Sequence, residues 1–136
     1  MSEMKLNIIT PEKVVYDGEA NMVTVRTIDG DRGFMAEHQP LVTGLDIGQI
    51  QIKTESEDKE LAASQGYIEV RPEEINILVD TAEYSDEIDV DRAKNAKKRA
   101  EKRLSKDDSS INPKRAEIAL RKAMNRLKVT KGRNFE

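Results

Sequence analysis

Two hydrophobic periodicities divide the chain. Up to Val79, apolar residues alternate with polar ones: Val23 and Val25 with Thr24 and Arg26, Ile50 and Ile52 with Gln49, Gln51 and Lys53, then Ile68 and Val70, then Ile75, Ile77 and Val79. A period of two turns one face of each segment inward and the other outward, as in half-buried antiparallel strands. Turn formers fall between the runs, at Asp17-Gly18, Asp29-Gly30, Gly44, Gly48, Gly66 and Arg71-Pro72. Short strands recurring in this way predict a sandwich or barrel rather than βαβ units. No helical stretch of useful length interrupts Leu6–Val79, and the polar Ser56–Glu60 reads as a hairpin tip.

After Ser85 the period lengthens. Asp89–Leu104 has no Gly or Pro and is rich in Ala, Lys and Arg, all good helix formers. Val90, Ala93, Ala96, Ala100 and Leu104 recur at spacings of three and four, with Asp89 or Asp86 available as an N-terminal cap. The polar run Ser105–Asn112 breaks this helix. Asn112-Pro113 then supplies a cap and a first-turn proline for a second helix, whose stripe is Ala116, Leu120, Ala123 and Leu127 and whose far end is marked by Gly132. Two helices joined by a short polar loop form an antiparallel hairpin. Its facing stripes are mostly alanine, so at about 25 cal/mol per Å² the seam is thin. The expected fold class is α+β by segregation: an antiparallel β-sandwich over residues 1–85, then a helical hairpin over 86–136.

Charge sharpens this division. The 136 residues carry a net charge of −3. Residues 1–85 hold 7 Lys+Arg against 17 Asp+Glu, whereas residues 86–136 hold 16 against 9. An acidic unit followed by a basic one suggests different partners for each. No apolar run exceeds three residues, far short of the roughly 20 needed to span a bilayer. The first twenty residues show no apolar core of a secretory signal.

Several chemistries are excluded by residue type. With no cysteine there is no disulfide, thiolate metal site or thiol nucleophile. The single histidine, His38, rules out a two-histidine metal motif, and no serine sits in a nucleophile elbow. No Gly-Lys-Ser/Thr phosphate loop or Gly-x-Gly-x-x-Gly occurs. Neither catalytic residues nor a metal site are expected.

Three segments carry a resemblance. Leu6-Asn7-Ile8-Ile9-Thr10-Pro11 is followed by Val15-Tyr16; Gly30-Asp31-Arg32-Gly33-Phe34-Met35-Ala36-Glu37-His38-Gln39-Pro40-Leu41 comes next; Ala63-Ser64-Gln65-Gly66-Tyr67-Ile68-Glu69-Val70 leads on to Thr81-Ala82-Glu83. In this order, ahead of a helical hairpin, they resemble the ε subunit of bacterial F-type ATP synthases, over nearly the whole chain. The resemblance implies a non-catalytic central-stalk subunit, peripheral to the cytoplasmic face of the cell membrane. Its sandwich would sit on the γ subunit and touch the c-ring. Its mobile hairpin would inhibit ATP hydrolysis when extended into the α/β catalytic head.

Site residues follow from the same resemblance. In the 30–41 segment the glycines read most simply as turn residues and His38 as a surface residue. The resemblance adds a docking loop, with Asp31, Arg32, Glu37 and His38 as subunit contacts. Ile88-Asp89-Val90-Asp91-Arg92-Ala93 reads most simply as a capped helix start. It also matches the pattern [Ile/Leu]-Asp-x-x-Arg-Ala, similar to the ATP-binding motif of nucleotide-binding relatives. By that analogy Glu83, Ile88, Asp89, Arg92 and Ala93 form an adenine pocket. Arg99, Lys122 and Arg126 hold the phosphates, with or without Mg²⁺. Relatives have an arginine where this chain has Lys122. Lysine keeps the charge but loses the planar fork that grips phosphate in a bidentate manner. The plain alternative is a set of solvated cations on exposed helix faces.

ATP would then be a regulatory ligand that favours the hairpin folded against the sandwich, since no general base or Mg²⁺ motif is present to cleave it. Two other classes remain on residue grounds. The basic half invites a nucleic-acid-binding role, opposed by the acidic first half and the 4% aromatic content. A purely structural assembly subunit would work without the hairpin.

Overall fold

The computed structural model describes residues 2–106 and 112–131. The chain divides between Tyr84 and Ser85 into two units. The first holds ten strands: β1 (Met4–Ile9), β2 (Val14–Ala20), β3 (Met22–Thr27), β4 (Gly30–Met35), β5 (Leu41–Leu45), β6 (Gly48–Lys53), β7 (Asp58–Ala63), β8 (Gly66–Val70), β9 (Glu74–Val79) and β10 (Ala82–Tyr84). Hydrogen bonds link them in the order β10-β7-β6-β3-β5-β8-β9-β1-β2, with β4 also paired to β3.

This path folds into a β-sandwich over one apolar core. All nine residues expected to face inward from the alternation, from Val23 to Val79, are buried, joined by Leu6, Ile8, Phe34 and Leu61. Among the described residues no buried side-chain nitrogen or oxygen lacks a hydrogen-bond partner, so the core carries no desolvation penalty of that kind.

Two expectations change here. The pairing is antiparallel except that β1 runs parallel to β9, from Lys5 beside Glu74 to Ile9 beside Leu78. These strands are far apart in sequence, so no tight turn forces them antiparallel. The polar tip expected at Ser56–Glu60 is shorter and earlier. Thr54 closes the turn, its N–H donating to the Glu57 carbonyl at 3.0 Å, and Asp58–Glu60 already belong to β7. Polar residues suit this strand because its pairing with β6 needs only backbone groups.

The second unit opens with a turn of 3-10 helix, Ser85–Glu87, and continues as α1 (Val90–Ser105) and α2 (Pro113–Lys131). α1 and α2 pack together as a hairpin. The side chains buried along α1 are Ala93 and Ala100, and along α2 Ala116, Ala123, Val129 and Thr130. The alanines stand seven residues apart on both helices, so they fall at matching levels of an antiparallel pair. Leu104, expected to extend the α1 stripe, is instead 38% exposed. Most of the expected loop, and Gly132, lie outside the described residues.

Candidate functional site

The 30–41 segment is not the single loop expected. Gly30–Met35 is strand β4, paired along its length with β3, so Asp31 and Arg32 stand on a strand and only Glu37 and His38 lie on the turn beyond it. Within β4 only Phe34 is buried in the core, while Asp31 and Arg32 are exposed. Asp31 pairs with Arg26 at 3.4 Å, with both side chains at least half exposed, a pair of small energetic weight. The Arg32 guanidinium lies 5.2 Å from the centre of the Phe34 ring. His38 meets the same ring edge-on, with centroids 5.2 Å apart. Its Nδ1 is 2.7 Å from the Gln39 carbonyl. A carbonyl only accepts, so Nδ1 is the donor and Nε2 is the nitrogen left for another partner. Glu37 has φ of 68°, and its N–H donates to the Pro72 carbonyl at 2.6 Å.

The same unit exposes apolar residues that sequence patterning did not single out. Ile28 is 67% exposed, Val42 65% and Tyr67 49%. Gly44 links them: it pairs with Tyr67 across β5 and β8, it shares one face of β5 with Val42, and a methyl group on it would touch Ile28. The cue available in sequence was weak, because Ile28 stands alone between Thr27 and Asp29 while Val42 and Tyr67 each adjoin an inward apolar residue, Leu41 and Ile68.

The second candidate set falls mostly on the helical unit. Glu83 is in β10, in the first unit. Ile88 is buried, and Asp89 is the N-cap of α1. The Asp89 carboxylate accepts from the Arg92 N–H at 3.1 Å, and its carbonyl from the Ala93 N–H at 3.0 Å. The helix-start reading of this motif is therefore realised. A carboxylate has acceptor capacity beyond one cap bond, so capping leaves room for a further donor. Arg92 and Arg99 are exposed, two turns apart, which returns them to the same face of α1. Ala93 is buried. On α2, Lys122 and Arg126 are half-buried and one turn apart, again on one face. Arg121, beside Lys122, is exposed. Asn112 caps α2, its side-chain oxygen accepting from the N–H groups of Lys114 and Arg115 at 3.1 and 3.3 Å. As a donor set, Arg99, Lys122 and Arg126 from two adjoining helices, with the Asp89 carboxylate at the start of one, fit a polyanion carrying a polar base. Among the described residues no cluster of acidic and histidine side chains suits a metal ion.

Comparison with known proteins covers both units. Residues 3–85 match the ATP synthase delta/epsilon chain β-sandwich domain, and residues 86–131 match the ATP synthase delta/epsilon chain long α-helix domain. The ATP synthase epsilon chain of Halalkalibacterium halodurans is 44% identical over 130 residues, which span 95% of this chain and 98% of that one. The epsilon chain of Desulforamulus reducens is 48% identical over 124 residues, 91% and 94% of the two chains. Among solved structures, a chain of the Euglena gracilis mitochondrial ATP synthase (OSCP/F1/c-ring, rotational state 1) superposes with a TM-score of 0.82. It is 21% identical and covers 92% of this chain and 79% of that one. At that identity the likeness concerns the fold.

Proposed function

The chain belongs to the ATP synthase delta/epsilon family, as a bacterial-type epsilon chain, and from that premise we propose how its two units divide the work of a central-stalk subunit. It is a non-catalytic subunit of the synthase. Its first unit docks on the rotor, against the γ subunit and the c-ring. Its second unit restrains ATP hydrolysis by the α/β head, and ATP acts as a regulatory ligand of that unit. No helix among the described residues is long and apolar enough to cross a membrane, so attachment to the cytoplasmic face of the bacterial membrane runs through the complex.

The observation that carries the regulatory half is the pairing of many cations with a thin seam. Four alanines make up most of the buried positions along α1 and α2. Alanine burial contributes little per contact, so the hairpin is held by a margin that a ligand or a partner surface can change. Basic outer faces, with Lys97, Lys98, Lys102 and Arg103 on α1 alone, suit an acidic partner. ATP shifts the balance only through its preference for one arrangement. At 100 times its dissociation constant, that preference amounts to about 2.7 kcal/mol. The proposed nucleotide contacts of the second unit are Ile88, Asp89, Arg92, Ala93, Arg99, Lys122 and Arg126. Arg99, Lys122 and Arg126 supply charge to the phosphates, Arg92 reaches the base or ribose, and Asp89 offers an acceptor to the adenine amino group.

On the first unit, Ile28, Val42 and Tyr67 give an apolar patch, and Asp31, Arg32, Glu37 and His38 give polar contacts. Exposed apolar groups of this kind mark protein interfaces. The deciding experiment removes residues 86–136 from the assembled synthase. The proposal expects ATP hydrolysis to rise while assembly and coupling persist. Unchanged hydrolysis would reduce the chain to an assembly subunit.

A further inference from the structure

The two terminal strands of the sandwich path each have a single ladder partner, β10 pairing with β7 and β2 with β1. β10 is also short, with three ladder positions from Ala82 to Tyr84. Short edge strands are the segments that fray first. A side chain nevertheless joins these two ends. The Tyr84 hydroxyl donates to the Val15 carbonyl in β2 at 2.8 Å, across 69 residues of sequence. Lys59 of β7 flanks the same place, its Nζ lying 5.6 Å from the centre of the Tyr84 ring and 6.0 Å from that of Tyr16. Val15, Tyr16 and Tyr84 are all partly buried against the core. Tyr84 is the last residue of the first unit.

We propose that Tyr84 is a strap. Its hydroxyl stands in for the missing backbone ladder between β10 and β2, and Lys59, whose Nζ also pairs with Glu57 at 3.5 Å, reaches both tyrosine rings. The strap fixes the point at which the chain leaves the sandwich. Rearrangement of the second unit therefore begins at Ser85 and does not peel β10 from β7. One directional hydrogen bond is sufficient for this because the strand it protects is so short. Without it, the Val15 carbonyl would lose a partner, and β10 would lose its link to β2.

Hydrogen exchange on the full-length chain tests the strap, comparing wild type with Tyr84→Phe and Lys59→Met. Phenylalanine keeps the ring and its packing and removes only the donor. The expected result for Tyr84→Phe is exchange about five- to tenfold faster in residues 82–84 and 14–16, with 22–27 and 48–53 unchanged. Lys59→Met should give a smaller rise in the same segments. Unchanged exchange in both segments would overturn the proposal. So would a uniform rise across the whole first unit, which would make the hydroxyl a contributor to global stability. The measurement uses neither nucleotide nor partner subunit, so its outcome is independent of how the second unit is regulated.

Discussion

A methyl group at Gly66 would overlap the Leu78 carbonyl oxygen and the Val79 backbone. Gly66 opens β8 directly opposite Val79, and neither obstacle is a side chain that can rotate away. Gly66→Ala should cost about 3 kcal/mol, lowering the melting temperature of the strand unit by roughly 10–20 °C; thermal unfolding followed by circular dichroism measures this. Gly33, with only ordinary contacts for an added methyl, is the control. The pH response is also set by individual residues. The Glu3 carboxyl is raised from its ordinary value, chiefly by the negative charge of Glu19, with burial and Glu55 adding to the effect. A raised acid binds more protons folded than unfolded, so its contribution to stability falls as pH rises from the ordinary carboxylate range through the raised value. Glu19→Gln removes the main cause. Denaturant titrations at several pH values should show the slope in that window flattening. Tyr16, raised mainly by burial and then by Glu57 and Glu19, acts with the same sign, but only above the ordinary tyrosine range.

At the scale of the element, the start of α1 is where a structural role and a ligand role meet in one side chain. Asp89 caps the helix, so Asp89→Ala should destabilise α1 by about 1 kcal/mol whether or not nucleotide binds there. Asn is as good a cap as Asp, so Asp89→Asn keeps the helix start and removes only the charge and one acceptor. If Asp89 contacts ATP, calorimetric titration should show weaker binding in both variants, with helix stability lost only in the alanine one. Binding that follows stability, falling in Asp89→Ala and intact in Asp89→Asn, would assign Asp89 to capping alone. Arg92→Ala leaves the cap in place, because the cap accepts from the Arg92 backbone and not its side chain. A fall in affinity there reports the guanidinium directly.

For the molecule as a whole, the two units differ in how much apolar surface holds each together. Of the fully buried large side chains, all but Val129 belong to the strands of the first unit, from Phe34 and Leu6 to Val70. The helical unit buries mainly alanine, with Ile88 and Val129 as its large apolar residues. A chain ending at Tyr84 should therefore fold and unfold cooperatively, with amide protection in β3, β6, β8 and β9 close to that of the full chain. A peptide spanning 85–136 should show partial helicity that rises on cooling, as short helices with little packing do. The contrast bears on regulation: a unit that partners or ligands can rearrange needs to sit at the low-stability end of the structure.

Periodicity alone determined that strands come before helices, and it determined the nine inward residues of β3, β6, β8 and β9. Alternation and helical spacing are local properties, which burial then enforces. Residue type marked Asn112 as one helix cap and left the other between Asp89 and Asp86; Asp89 takes it, and both caps bond backbone groups only two or three residues away. Tertiary structure decided what depends on distant residues. The parallel pairing of β1 with β9 joins segments some seventy positions apart. The same holds for Tyr84 reaching Val15, and for the Glu37 N–H meeting Pro72. Asp31 and Arg32 moved from loop to strand because pairing with β3 outweighed the turn signal of two nearby glycines. Leu104 fell out of the buried stripe because the packed length of a hairpin is set by where its partner helix ends. Ile28, Val42 and Tyr67 became a patch only when β5 and β8 were laid side by side, a juxtaposition that no local pattern encodes.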